Sequence, residues 1–353
     1  MKKIIFRIDF GNKFGGGHLK RCLNIAKYLK KFKPVFLIEI DTAEDKSKIL
    51  KIFRNYNFDY YLFKGFFPKR EIKILKKNFL NKNNIILFDF ANSYKFKKKK
   101  EVKNYIDQLN LYFDKIFFID SMGSENILRG LKVKLTAAIT PYIGASKNKS
   151  NYKHYVGGKY FILNNKKNFR GRNLVRKKIK NLLITSGQTD PAGLSALLIR
   201  LINSDKLFFQ NYKIKLVLGQ GFNKNYVKKL KKFISNFKLK INLIENCENL
   251  LPYFIWADVG IATNGLTKYE FAKYKVSSIL FSFNSTSHKL QKYFDNVSSA
   301  LYLGKIQNLR LNKLKSSLNF LNNNYHARLR MIKNGYNLID YKGIYRFVKI
   351  IND

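Results

Sequence analysis

The chain has 353 residues, a length that favours two domains, each large enough for a core of its own. Its net charge of +47 suggests nucleic acid or an anionic membrane surface as a partner, but the lysines are spread over most predicted helices. We therefore expect no specific nucleic-acid contact, and leave open a weak peripheral membrane contact through the lysine run at 97–100. Apolar runs stay below the eighteen residues of a membrane span and the two cysteines are far apart, so we expect a cytoplasmic protein, and a monomer.

The first predicted element is a strand that turns into a helix through three glycines. Residues 4–8 form an apolar run typical of a parallel strand, and apolar positions recur at helical spacing from Leu19 onwards. A glycine loop that opens a helix directs backbone N–H groups towards an anion. The loop and its flanks combine small residues with titratable groups of both signs, as at sites with perturbed pKa values: Arg7, Asp9, Gly15, Gly16, Gly17, His18 and Arg21.

This turn is not a dinucleotide-binding fingerprint, because Lys20 stands where the last glycine of that motif would be. His18 is the candidate catalytic residue. The alternative for His18 is a histidine that caps the helix or packs against it.

Strands and helices alternate through the rest of the first half, which predicts a parallel, doubly wound sheet. The predicted strands are 34–40, 58–63, 85–88, 115–119 and 135–139, and the helices are 41–53, 72–80 and 103–113. Asp89 and Asp120 each follow a strand, where a carboxylate can orient a ligand hydroxyl or a basic neighbour, or else cap a helix. Gly157 and Gly158 close this half, so we expect a first domain over residues 1–158.

The second half, residues 159–353, carries glycine turns after two predicted strands. Gly187 follows the apolar run at 181–185, and Gly265 and Thr267 precede a helix that begins near Lys268. Backbone N–H groups, a hydroxyl and the helix dipole would converge there on a diphosphate. Glu270, in the first helical turn, can accept both hydroxyls of a ribose, although a glutamate also favours a helix N-terminus for its charge alone.

Asn284 follows the next predicted strand and is a candidate contact to a diphosphate or a sugar. His288 is expected on a surface helix, and His154 and His326 stand in no motif. We expect neither a metal site nor a cofactor.

The opening motif resembles that of one family. Arg7-x-Asp9, Gly15-x-Gly17-His18 and Arg21 are similar to the motif of UDP-sugar hydrolases of the pseudaminic acid pathway and of related spore-coat polysaccharide proteins. The resemblance implies the GT-B glycosyltransferase-like fold, an α/β architecture of two Rossmann-like domains facing a cleft. It also implies that His18 is the base that activates water.

The resemblance continues at the nucleotide motif and at the end of the chain, and it has two departures. A glutamate matching Glu270 binds ribose in the family, and the family's last helix, matched here by Asp340, Gly343 and Arg346, is expected to pack back towards the first domain. The family's Asp-x-Tyr is Asp89-Phe90-Ala91 here, and its glutamine after Asn284 is Ser285. Because of these departures, the resemblance does not identify the sugar.

We therefore expect a hydrolase that cleaves the anomeric C–O bond of a UDP-linked amino sugar, with His18 as the catalytic residue. A glycosyltransferase of the same fold, with a glycan or lipid-linked acceptor, is the alternative, and a basic nucleic-acid-binding protein is a remote one. The expected substrate contacts are Arg7, Asp9, Gly16, Gly17, Arg21, Asp89, Gly187, Gly265, Thr267, Glu270 and Asn284.

Overall fold

A computed structural model describes most of the chain. The residues outside its description are 12–15, 66–67, 90–95, 97, 120–127, 129, 148, 164–174, 191, 238, 264 and 284, together with the side chain at 286. Of the sequence-predicted positions, Gly15, Asp120 and Asn284 therefore lie outside the described residues. The chain divides into two compact units: unit 1 is Met1–Asn164 with Tyr341–Asp353, and unit 2 is Asn165–Asp340.

Unit 1 is built on a parallel sheet covered by helices. Its elements are β1 (Lys3–Phe10), α1 (Gly17–Ala26), β2 (Lys33–Ile40), α2 (Ala43–Phe53), β3 (Asp59–Lys64), α3 (Pro68–Phe79), β4 (Ile85–Asp89), α4 (Lys99–Leu109), β5 (Lys115–Ile119), β6 (Ala137–Thr140) and β7 (Lys153–Val156). The seven described strands follow the order β3-β2-β1-β4-β5-β6-β7, and every pair is parallel. This confirms the predicted doubly wound sheet.

The strand order of unit 1 reverses direction between β1 and β4, which places a crevice at their carboxyl ends. Both strands are central and almost wholly buried, as their apolar runs predict. Ile8 of β1 stands beside Asp89, the last residue of β4. The helix that follows β1 and the carboxylate that ends β4 are thereby brought to one edge of the sheet.

Unit 2 repeats this architecture. Its elements are β8 (Asn181–Thr185), α5 (Leu194–Ser204), α6 (Lys206–Phe209), β9 (Lys213–Gly219), α7 (Lys224–Ser235), β10 (Ile241–Cys247), α8 (Leu251–Trp256), β11 (Val259–Ala262), α9 (Thr267–Lys273), β12 (Ser277–Ser282), α10 (Ser285–Asn296), β13 (Leu301–Lys305), α11 (Leu311–Asn323) and α12 (Tyr325–Asn337). The described strands form a six-stranded parallel sheet in the order β10-β9-β8-β11-β12-β13. The order reverses between β8 and β11, so the turns that follow these two strands flank the second crevice.

The last helix, α13 (Gly343–Asn352), belongs to unit 1, whereas the sequence assigned residues 159–353 to the second domain. Phe347 and Ile351 are fully buried in the core that also holds α1. Gly343 is required at the start of this helix, because a Cβ there would overlap the carbonyl oxygen of Phe161. The packing of α13 is thus fixed within unit 1.

Two strands were not predicted from the sequence. The short strand β7 gives no signal, because its four residues, Lys-His-Tyr-Val, form no apolar run. The strand β13 is only partly buried and gives an equally weak signal. Among the described helices, none has the length and apolar character needed to cross a membrane.

Candidate functional site

The first crevice holds a histidine bonded to a carboxylate. His18 is the second residue of α1, whose N-cap is Gly16, so the histidine does not cap the helix. Its Nδ1 lies 2.7 Å from Oδ1 of Asp89. The side chain of His18 is 12% exposed and that of Asp89 is 0% exposed, so only the imidazole can meet a ligand directly. The pair joins residues 71 positions apart, one in the helix that follows β1 and one at the end of β4.

Arg21 holds the carboxylate from its other side. Its Nε donates to Oδ2 of Asp89 at 2.7 Å and its Nη2 donates to Oδ1 at 2.6 Å, a two-point fork. The remaining nitrogen, Nη1, donates to the hydroxyl of Tyr142 at 2.8 Å. Arg21 lies one helical turn after His18, so α1 presents both side chains to Asp89. Sequence reasoning selected these three charged residues and missed Tyr142, which follows β6 without any motif.

This geometry assigns the proton on His18. Burial alone would raise the pKa of the Asp89 carboxyl, but Arg21 and His18 outweigh burial and hold that pKa well below its ordinary value. Asp89 is therefore an ionised group that only accepts hydrogen bonds, and Nδ1 of His18 must carry the hydrogen between them. In the neutral ring Nε2 is then the basic nitrogen.

Arg7 and Asp9 lie in a separate, fully buried cluster. The Arg7 guanidinium contacts three carboxylates: Nη1 to Asp9 Oδ1 at 2.7 Å, Nη2 to Glu39 Oε2 at 2.8 Å and Nε to Glu71 Oε1 at 2.8 Å. The Tyr105 hydroxyl also donates to Glu71 at 2.5 Å. Arg7 and Asp9 are 0% exposed, so either could touch a substrate only if these bonds opened. The cluster links β1 to β2 and α3. Among the described residues, no group of three or more His, Cys, Asp or Glu is arranged to hold a metal ion.

The second crevice is formed by turns that depend on glycine. Gly187, after β8, has φ +85°, and Gly265, after β11, has φ +107°, a backbone region in which other residues are strained. A Cβ at Gly187 would lie 3.6 Å from the Thr267 hydroxyl oxygen, so the two turns meet at the point where the strand order reverses. A Cβ at Gly265 would meet no atom of the described residues within 4 Å, so none of them fills that side of the turn. Glu270 lies partly buried in the first turn of α9.

The turn after β9 supports the Gly187 turn, a contact that the sequence did not predict. Gly219 N–H donates to the Gly187 carbonyl at 3.2 Å, and Gly221 N–H donates to the Gln188 carbonyl at 3.0 Å. A Cβ at Gly219 would lie 2.5 Å from the Gly187 oxygen, so only glycine fits. The Gly-Gln-Gly sequence that ends this apolar strand indicates the turn itself, but not its partner.

Lys268 is an unusual buried amine beside this crevice. It is 3% exposed, its Nζ lies 5.3 Å and 5.1 Å from the ring centroids of Tyr269 and Phe294, and it forms no ion pair with any described residue. Burial lowers the pKa of Lys268 from 10.5 to about 7, because no carboxylate offsets the lost hydration of the ammonium. The buried Lys268 therefore lowers the free energy of unfolding most at neutral and acidic pH, where its ammonium is charged.

Replacing Lys268 with methionine should raise the free energy of unfolding at pH 6 by roughly 2–4 kcal/mol, since one pKa unit corresponds to about 1.4 kcal/mol. Between pH 7 and 10.5 the unfolded wild type keeps the proton that the folded state has released, so wild-type stability rises with pH relative to the variant. Urea unfolding from pH 6 to 10 measures both effects, with exposed Lys289→Met as the control. A constant difference across this range would contradict the assignment.

Comparison with known proteins identifies the fold. No protein-family model matches the chain, and no curated protein matches its sequence. Among solved structures, MurG of Acinetobacter baumannii is similar over 99% of each chain, with 11% identity and a TM-score of 0.66. The chain has the GT-B fold.

Two further GT-B structures show the same likeness. The structure of S. aureus MnaA with UDP is 14% identical over 100% of this chain and 96% of that one, with a TM-score of 0.64. A glycosyltransferase from Rickettsia africae is 16% identical over 100% and 99% of the two chains, with a TM-score of 0.58. At these identities the likeness establishes the fold, and the chemistry has to be argued from the residues.

Proposed function

We propose that the protein is a UDP-sugar hydrolase that cleaves the anomeric C–O bond of a UDP-linked amino sugar. The observation that carries the proposal is the bond between His18 Nδ1 and the ionised carboxylate of Asp89. A histidine held in this way offers Nε2 as a base, and the only partly exposed member of the pair is the imidazole.

In the proposed reaction, His18 Nε2 takes a proton from water as the water oxygen attacks C1 of the sugar. The new bond joins C1 to the water oxygen, and the bond between C1 and the phosphate oxygen breaks, so that its electron pair leaves with UDP. Asp89 stabilises the imidazolium formed at His18, and Arg21 keeps Asp89 ionised and oriented. Arg21 and Asp89 thus position the base in this proposal and do not touch the sugar.

The nucleotide is proposed to bind to the turns of unit 2. The Gly265 turn, the Thr267 hydroxyl and the adjacent Gly187 turn suit a diphosphate, and Glu270 suits the ribose hydroxyls. Asn284 remains a candidate sugar contact, and Gly16 and Gly17 offer backbone N–H groups at the start of α1. UDP is present in the MnaA structure of the same fold, which supports this choice of nucleotide.

The direct test is incubation with UDP-activated diacetamido-trideoxyhexoses, with product analysis by mass spectrometry. A hydrolase releases UDP and free sugar in equal amounts without any acceptor. Release of neither product from the sugars tested, together with no measurable binding of UDP, would contradict the proposal.

A glycosyltransferase is the second candidate. The similar Rickettsia africae protein is a glycosyltransferase, and the same His18 could deprotonate an acceptor hydroxyl in place of water. The two functions separate when candidate glycan or lipid-linked acceptors are added to the same incubation. A new glycoside formed at the expense of free sugar would favour the transferase.

Glu270→Ala should weaken UDP binding by roughly 1.5–3 kcal/mol, because a charged acceptor of ribose hydrogen bonds is lost. The fold should be retained, since Glu270 is partly exposed. Calorimetric titration with UDP measures the loss, and Glu245→Ala on the edge strand β10 is the control. Unchanged UDP affinity in a variant with an unchanged melting temperature would contradict the assignment of Glu270 as the residue that binds the ribose hydroxyls.

A further inference from the structure

Three polar side chains from β12, β13 and α10 are bonded in a row. The Ser282 hydroxyl, at the end of β12, lies 2.5 Å from the hydroxyl of Tyr302 in β13. The same Tyr302 hydroxyl lies 2.6 Å from Nδ1 of His288 in α10. One turn later, Gln291 Nε2 donates to the Phe281 carbonyl at 3.1 Å and fixes α10 against β12. His288, expected on a surface helix, is partly buried, and its ring is bonded to this row.

The direction of the hydrogen bonds in this row can be assigned. Ser282 is 0% exposed, and its hydroxyl bonds no described atom other than the Tyr302 hydroxyl. If Ser282 donates to Tyr302, then Tyr302 donates to His288 Nδ1, and every hydrogen has an acceptor. In the reverse direction the Ser282 hydrogen would be buried without an acceptor, which is disfavoured. Burial also raises the pKa of the Tyr302 phenol, so the phenol keeps its hydrogen for donation.

A neutral His288 in this row carries its hydrogen on Nε2. The two ring nitrogens point in divergent directions, so Nε2 is turned away from Tyr302 and its strand β13. Because β11 and β12 are parallel neighbours, α10 begins at the same sheet edge as the Gly265 and Thr267 turn. His288 is thus a hydrogen-bond donor at the edge where the diphosphate is proposed to bind.

We infer that His288 is a second functional residue, whose Nε2–H donates a hydrogen bond to the β-phosphate of the nucleotide. This inference rests on the proposed nucleotide site. The donor stabilises the charge that develops on the β-phosphate oxygen as the C1–O bond breaks. The two histidines then have complementary tautomers, since His18 accepts a proton through Nε2 and His288 donates a hydrogen bond through the same atom.

The first experiment compares the binding of UDP and UMP, because only UDP has a β-phosphate. Calorimetry should show His288→Ala weakening UDP binding by about tenfold to a hundredfold, the range for a hydrogen bond to a charged group, with UMP binding within about twofold of wild type. Tyr302→Phe should weaken UDP binding in the same selective way but less, since the tautomer is no longer fixed. His326→Ala, at an exposed histidine, should change neither ligand.

The possible outcomes separate this inference from the proposed function. A wild type that does not bind UDP would remove the nucleotide site and the inference together. If the wild type binds UDP and a folded His288→Ala binds it equally well, only the inference is overturned. Equal weakening of UDP and UMP would also overturn it, because the contact would then not be with the β-phosphate.

The second experiment needs neither ligand nor a folded His288 variant. The chain has four histidines, so long-range proton–nitrogen NMR spectra at about pH 8.5, above an ordinary histidine pKa of about 6.5, can resolve each tautomer. Tyr302→Phe identifies the His288 signals by their shift. His288 should be the Nε2–H tautomer and His18 the Nδ1–H tautomer. An Nδ1–H tautomer at His288 would overturn the inference.

Discussion

Replacing His18 with asparagine is expected to lower the rate of UDP release by about 10²–10⁴, the range for a lost general base. The asparagine amide can take the place of Nδ1 and keep a hydrogen bond to Asp89, but it has no counterpart of Nε2. The substitution therefore removes the basic nitrogen and leaves Asp89 and Arg21 in place. UDP affinity should be unchanged, because the side chains and turns proposed to bind UDP lie in unit 2 and the substitution leaves the backbone N–H groups of Gly16 and Gly17 in place.

The measurement is single-turnover release of UDP from a UDP-activated diacetamido-trideoxyhexose across a range of pH. The wild type should release UDP faster than His18→Asn at every pH tested. His326→Asn, on the exposed face of α12, is the matched control. Equal rates with the same pH dependence in wild type and His18→Asn would refute the assignment of His18 as the base.

Much of the fold and part of the site could be predicted because their signals are local. Apolar runs of strand length alternate with helical patterns, and a parallel doubly wound sheet follows from that alternation alone. The glycine turn before His18 and the aspartate that ends β4 are likewise visible at single strand ends. Gly187, Gly265 and Thr267 were identified for the same reason, and the structure brings Gly187 and Thr267 together.

What could not be predicted depends on pairings between distant residues. The sequence offers several acidic partners for Arg7 and Arg21, and only the strand order assigns Asp89 to Arg21 and Glu39 and Glu71 to Arg7. The bond of His288 could not be predicted because its partner Tyr302 lies in a strand without an apolar run. The burial of Lys268 was also hidden, because α9 is covered on nearly all its faces.

Replacing Asp89 with asparagine should damage both stability and activity. Arg21 would remain buried with no carboxylate to pair with, and removal of one partner of a buried pair costs about 3–5 kcal/mol. An amide can also donate to His18 Nδ1, which would move the imidazole hydrogen to Nε2 and block the base. We expect UDP release to fall by about 10²–10⁴ in the population that remains folded. Asp107→Asn, in an exposed ion pair with Lys103, should change stability by no more than about 0.5 kcal/mol.

The double variant Arg21→Met, Asp89→Asn separates the two effects of Asp89. Removing the unpaired guanidinium should restore most of the lost stability in urea unfolding, because no buried charge is left without a partner. Activity should not return, since nothing in the double variant fixes the hydrogen of His18 on Nδ1. If single-turnover rates recovered together with stability, Asp89 would be a structural partner of Arg21 only, and the proposed mechanism would lose the group that orients its base.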